Sequence, residues 1–126
     1  MRAADTNLLV RLVAQDDTEQ VAKTESFVSG GAWISHLVLA EATWVLTKGY
    51  RLDASALAQV VEMLLSHQDL VLEDPSTVSA ALAAFRARPK LGFADCLILE
   101  IARKAGHLPL GTFDRELARL DGAERV

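Results

Sequence analysis

The chain has a single cysteine among its 126 residues. Cys96 cannot close an internal disulfide and has no companion thiolate for a zinc site. A disulfide-held scaffold is thereby excluded, and a reducing, cytoplasmic compartment is expected. No apolar run approaches the ~18 residues of a membrane helix. A secretory leader is not expected either, because Asp5 in "MRAADTNLLVRLVAQ" stands where its hydrophobic region would begin. An excess of positive charge is also missing. A net charge of −4 counts against bulk electrostatic binding of nucleic acid. It leaves open local phosphate contacts and an acidic site that recruits divalent cations. No repeat, low-complexity tract or Pro/Gly/Ser-rich linker divides the chain, so one compact domain over 1–126 is expected. No glycine-rich phosphate cradle is present; Gly30-Gly31 is only a turn signal. His36, His67 and His107 form no helical pair suited to a metal, and Cys96 lacks an evident catalytic histidine.

What remains is an ordinary globular composition, 51% hydrophobic and 24% charged. "MRAA", "AWIS", "LVLE", "LPLGTFD" and "AERV" predict short strands. Helices are predicted over about 18–29, over "HLVLAEATWVLTKG" with Ser35 as N-cap and Gly49 as terminator, and over "SALAQVVEMLLSHQ". "NLLVRLVA" adds a turn or two. Asp74-Pro75 opens a helix striped by Val78, Ala81, Leu82 and Phe85. "FADCLILEIARKA" closes near Gly106, and "RELARL" forms a short last helix. Strands alternating with helices imply an α/β fold around a short parallel sheet flanked by helices.

Within "FADCLILEIARKAG", a rotation of about 100° per residue gathers Ala94, Leu97, Ile98, Leu99, Ile101, Ala102 and Ala105 on one arc. Asp95 falls inside that arc, with no cation three or four residues away. A buried carboxylate without a partner is costly, so something outside the helix must compensate. Glu41 repeats the pattern, since Leu37, Val38, Trp44 and Val45 at three and four residues are all apolar. Each acid also has a simpler reading. Glu41 at a helix edge reaches water, and Asp95 complements the helix dipole. Asp5 in "DTN" and Asp114 in "GTFDREL" cap helices.

Taken together the four say more. Asp5 and Asp114 follow predicted strands, at the carboxyl edge where open α/β sheets place their sites. Glu41 and Asp95 are expected to point inward. Four converging acids would repel one another, and Mg²⁺ or Mn²⁺ removes the repulsion, because carboxylate oxygens are the ligands such hard cations prefer. Such a site activates water and stabilises charge on a phosphate under in-line attack. "RARPK" places Arg86, Arg88 and Lys90 just before the Asp95 helix, either as a solvated helix end or as a phosphate-contacting rim.

These stretches resemble the PIN-domain family, and within it the small VapC-type toxins of bacterial toxin–antitoxin pairs. The resemblance rests on "ADTNLLVRL", "ISHLVLAEATWVL", "GFADCLILEIARKAG" and "LGTFDREL", in that order, over nearly the whole length. It implies a PIN-like three-layer fold and a metal-dependent endoribonuclease with an acidic quartet at Asp5, Glu41, Asp95 and Asp114. Mg²⁺ or Mn²⁺ would be held chiefly by Asp5 and Asp95, with Thr112 adding a nearby hydroxyl. A homodimer and a cognate antitoxin that blocks the site are implied as well. Two rivals stand beside it. A phosphatase with an aspartyl nucleophile at Asp5 would want a second acid two residues on, where the chain has Asn7. A PIN-like interaction module without catalysis would have no need of all four acids.

Overall fold

Four helices begin where a short polar side chain can satisfy a backbone N–H that has no helical partner. In the computed structural model, which describes residues 1–126, these are α1 (Thr6–Ala14), α2 (Thr18–Val28), α3 (His36–Lys48) and α4 (Ala54–Ser66). Asp5, Asp17, Ser35 and Asp53 cap them, each accepting from the N–H three residues on. α5 (Pro75–Ala87) opens on a proline, whose missing N–H costs nothing in a first turn. α6 (Phe93–Ala105) ends at Gly106, where a φ of 84° favours glycine. Gly49 closes α3 as expected, without a left-handed turn. Its φ is −85°, and a Cβ there would stand 2.9 Å from the Val45 carbonyl oxygen.

The chain forms two compact units, Met1–Pro75 and Ser76–Val126. In the first, β1 (Arg2–Ala3), β2 (Ala32–Ile34) and β3 (Leu70–Leu72) build a parallel sheet in that order. Ala32, Ile34, Leu70 and Leu72 are buried, while the intervening row Ala3, Trp33 and Val71 is exposed. This alternation is the period-two signature of a strand. α1 packs against α2 and α3, and α4 against α3 and β3. Leu9, Val10, Leu39, Leu46, Val61 and Leu64 are almost fully buried. Each contributes roughly 1.5–3 kcal/mol relative to exposure. Arg11 on α1 donates to Asp16 and to the Tyr50 hydroxyl, both at 2.8 Å, and to Gln20 at 2.7 Å. Tyr50 in turn donates to Asp16 at 2.6 Å and, with Arg11, holds that carboxyl below its ordinary range.

The second unit holds α5, α6, β4 (Leu110–Thr112), a 3-10 turn (Leu117–Arg119) and β5 (Ala123–Arg125). β4 and β5 pair in parallel as a two-stranded sheet of their own. "RELARL" therefore contributes a single 3-10 turn rather than a helix. The expected stripe on α5 is buried in full, and Phe85 meets Phe93 edge-to-face at 6.0 Å. The parallel strands and six helices bear out the α/β class and the short parallel sheet.

α6 is turned differently from its apolar arc. Phe93, Cys96, Leu97 and Leu99 are buried, whereas Ile98 is 50% and Ile101 37% exposed. The Glu100 side chain, on the side of the helix opposite that arc, is only 14% exposed. Glu100 is paired with Arg103 at 3.2 Å, and Arg103 donates onward to the Asp121 carbonyl. Mutual pairing is what lets these charges occupy the inner side, because a paired charge loses less on leaving water. No helix is long and apolar enough to cross a membrane.

Candidate functional site

Asp5 follows β1 and serves α1 as its N-cap. Its Oδ1 accepts the Leu8 N–H at 3.0 Å, which fixes the carboxylate and leaves Oδ2 free at an exposed position. The capping reading of Asp5 is thus correct, and it does not compete with a ligand role, since only one oxygen is used. Glu41 requires a correction. It is exposed rather than directed inward. Leu37 and Trp44, two of the neighbours that suggested an interior, are themselves 70% and 62% exposed. α3 buries Leu39, Ala42, Thr43 and Leu46 instead. Its apolar residues extend around the helix beyond the strip that packing covers.

In the second unit, Asp95 lies in the first turn of α6, half-buried. Gly92 precedes the helix as N-cap and offers no side chain, so the Asp95 carboxylate is the acidic group of that turn. Burial, and then the negative charge of Asp114, push the Asp95 carboxyl above its ordinary range, and no hydrogen bond or cation offsets this. Asp114 is exposed, and its Oδ1 accepts from Glu116 N at 2.8 Å and Leu117 N at 3.2 Å. Thr112 Oγ1 accepts the Asp114 N–H at 3.0 Å, so the hydroxyl orients the acid. Asp95 and Asp114 are thereby brought within electrostatic reach of each other. Asp5 and Glu41 belong to the first unit, on the packed pair α1 and α3.

Arg86 lies in the last turn of α5, and Arg88 and Lys90 follow in the turn that leads into α6. Arg86 and Lys90 are exposed and Arg88 is half-buried. Cys96 is fully buried, and burial, then Asp95 and Glu100, push its thiol up to about 11. That leaves no thiolate for nucleophilic work near neutral pH.

Glu73 anchors the start of α3 from a distance. Its Oε1 accepts the His36 N–H at 2.9 Å, so it caps α3 from the end of β3, while its own N–H is held by Ile34 O at 2.8 Å. A partner 37 residues away leaves no local pattern to detect. His36 Nδ1 is buried without a hydrogen-bond partner.

No three His, Cys, Asp or Glu side chains are grouped so as to hold a metal ion. The donor chemistry nevertheless suits a hard divalent cation. Asp95 and Asp114 repel, Asp95 has no compensating partner, and carboxylate oxygens are what Mg²⁺ and Mn²⁺ take.

A family model described as PIN domain matches residues 3–123, a span that includes Asp5, Glu41, Asp95 and Asp114. No curated protein and no solved structure matches the chain.

Proposed function

The chain belongs to the PIN-domain family, whose members are generally metal-dependent nucleases, and from that premise we propose that it is an Mg²⁺- or Mn²⁺-dependent endoribonuclease serving as the toxin of a toxin–antitoxin pair. The family match over residues 3–123, with all four acids inside it, carries the reading. Asp5 and Asp95 are assigned as the principal metal ligands. Glu41 is a ligand or water-orienting base, and Asp114 completes the quartet. We propose that the two units function together as one domain.

A bound divalent cation supplies an acidified water and neutralises charge developing on the phosphate. The chain's own contribution is to hold the acids ready. Asp5 is locked by its cap to Leu8 N with one oxygen free, and Asp114 by its bonds to Glu116 N and Leu117 N. The raised Asp95 carboxyl is the group that gains most from a cation, since its charged form is disfavoured without one. Thr112 orients Asp114. Arg86, Arg88 and Lys90 form a phosphate-contacting rim beside the start of α6, with RNA as substrate. A homodimer and a cognate antitoxin that covers the acids, both working in the cytoplasm, complete the proposal.

The test is cleavage of a mixed RNA pool with Mn²⁺, with Mg²⁺ and in EDTA. Internal cuts that need the metal are expected, together with growth arrest on induction that Asp95→Asn relieves. Cutting that persists undiminished in EDTA, or arrest that Asp95→Asn leaves intact, would overturn the reading.

A further inference from the structure

The outward face of α3 has a composition that packing does not explain. Leu37, Glu41, Trp44 and Lys48 follow one another at spacings of four, three and four residues, which aligns them along one side of the helix. All four are exposed, Leu37 at 70% and Trp44 at 62%. A large aromatic left this open is uncommon, and open apolar surface of this kind marks contact sites. The stripe also has an order: an acid, an aromatic ring one turn on, and a cation one turn beyond that.

Resting on the nuclease reading above, we infer that this stripe is a platform for unpaired RNA. Trp44 stacks a nucleobase next to the scissile phosphate, and Lys48 holds the phosphate that follows. Stacking on an exposed ring requires a base free of its helix, so the platform selects single-stranded segments and loops over duplex. The charges agree with that occupant. Lys48 complements a phosphate, while Glu41 would help to hold the cation that meets the reacting one. A second copy of the chain fits less well. Leu37 and Trp44 together expose on the order of 300 Å² at most, well below the ~800 Å² that each partner commits to a stable interface. Such a partner would also bury Glu41, which has no cation beside it on the stripe. An exposed ring next to a proposed ligand recurs in the second unit, where Phe113 is 81% exposed directly before Asp114.

The experiment compares the parent protein, Trp44→Ala, Trp44→Phe and Lys48→Gln on a hairpin with a single-stranded loop, on the same loop with one abasic nucleotide at the cut site, and on a full duplex, all with Mn²⁺. Trp44→Ala is expected to raise KM on the loop roughly 5- to 100-fold with kcat little changed, the range that base–aromatic stacking implies. Trp44→Phe should restore most of the loss. The abasic loop should penalise the parent but not Trp44→Ala. Lys48→Gln should reduce the salt slope of KM by about 0.7, one phosphate contact on a single strand. A Trp44→Ala variant with the parent's KM on the loop would overturn the platform alone. So would a parent that cuts duplex as readily as loop, or a Trp44→Ala variant that turns a dimer into a monomer without raising KM. A parent that cuts none of the RNAs would remove the nuclease reading, and the platform with it.

Discussion

Ser35→Ala tests whether α3 is held in place by the bonds at its N-terminus. Two of the free N–H groups there are satisfied by side chains, Val38 N by Ser35 Oγ at 3.1 Å and His36 N by Glu73 Oε1 at 2.9 Å. Removing the serine hydroxyl leaves Val38 N without its partner, at a cost of about 1 kcal/mol. At about 2.1 cal/mol/K per residue, 126 residues unfolding together have an unfolding entropy of about 0.26 kcal/mol/K, so Tm should fall by about 4 °C. If only Met1–Pro75 unfolds in the transition, the same loss lowers Tm by about 6 °C. The size of the shift therefore also reports whether the two units melt as one domain. Ser35→Asp, which keeps an acceptor, should remain near the parent. Differential scanning calorimetry of the three proteins in EDTA measures all of this. A Ser35→Ala protein that melts within about a degree of the parent would refute the capping argument, as would a Ser35→Asp protein that loses as much as the alanine variant.

Cys96 should resist alkylation in the native state at pH 8, because its thiol is buried and pushed up to about 11, and should label stoichiometrically in denaturant; fast native labelling would show that α6 opens. Asp95 sets a pH dependence of stability in the metal-free protein. Its carboxyl is raised in the folded chain, so the folded state binds more protons than the unfolded one between the ordinary value of 3.8 and the raised one. Stability should therefore fall as pH rises through that window. Asp95→Asn should lack this fall and be the more stable protein at neutral pH, as read by urea midpoints across pH. Replacing Arg86, Arg88 and Lys90 with Gln should weaken RNA binding and flatten its salt dependence by up to ~2 units of slope on single strands. Unchanged affinity and slope would return these residues to an ordinary solvated helix end.

The features legible in the sequence were those written in neighbouring residues. Asp5, Asp17, Ser35 and Asp53 act three residues from themselves, and Gly106 ends the helix it follows, so a window of a few residues contains the whole cause. The α4 and α5 stripes were legible because one face of each helix carries the apolar residues. α6 and α3 were not, for opposite reasons. On α6 the charged side turns inward because Glu100 and Arg103 neutralise each other and Arg103 finds the Asp121 carbonyl, a partner outside the helix. On α3 more apolar residues exist than the packing covers, so Leu37 and Trp44 suggested an interior around Glu41 that is solvent. Periodicity reports composition around a helix, and tertiary contacts decide which arc is covered. The partner that Glu73 caps stayed hidden because its bond to His36 N spans two strand ends. Asp5 and Asp114 do act as caps, and each uses a single carboxylate oxygen to do so, which leaves its other oxygen out of the cap.

The most direct test of the central claim is the single-turnover rate of RNA cleavage by Asp95→Asn at saturating Mn²⁺. The substitution keeps the side chain's shape and removes the charge proposed to hold the cation. On the proposed mechanism cleavage should fall by orders of magnitude, because the cation would supply both the nucleophile and the charge stabilisation. The variant should still fold with a metal-free stability equal to or above the parent's, which separates lost chemistry from lost structure. An Asp95→Asn protein that cuts RNA at the parent rate would contradict the account.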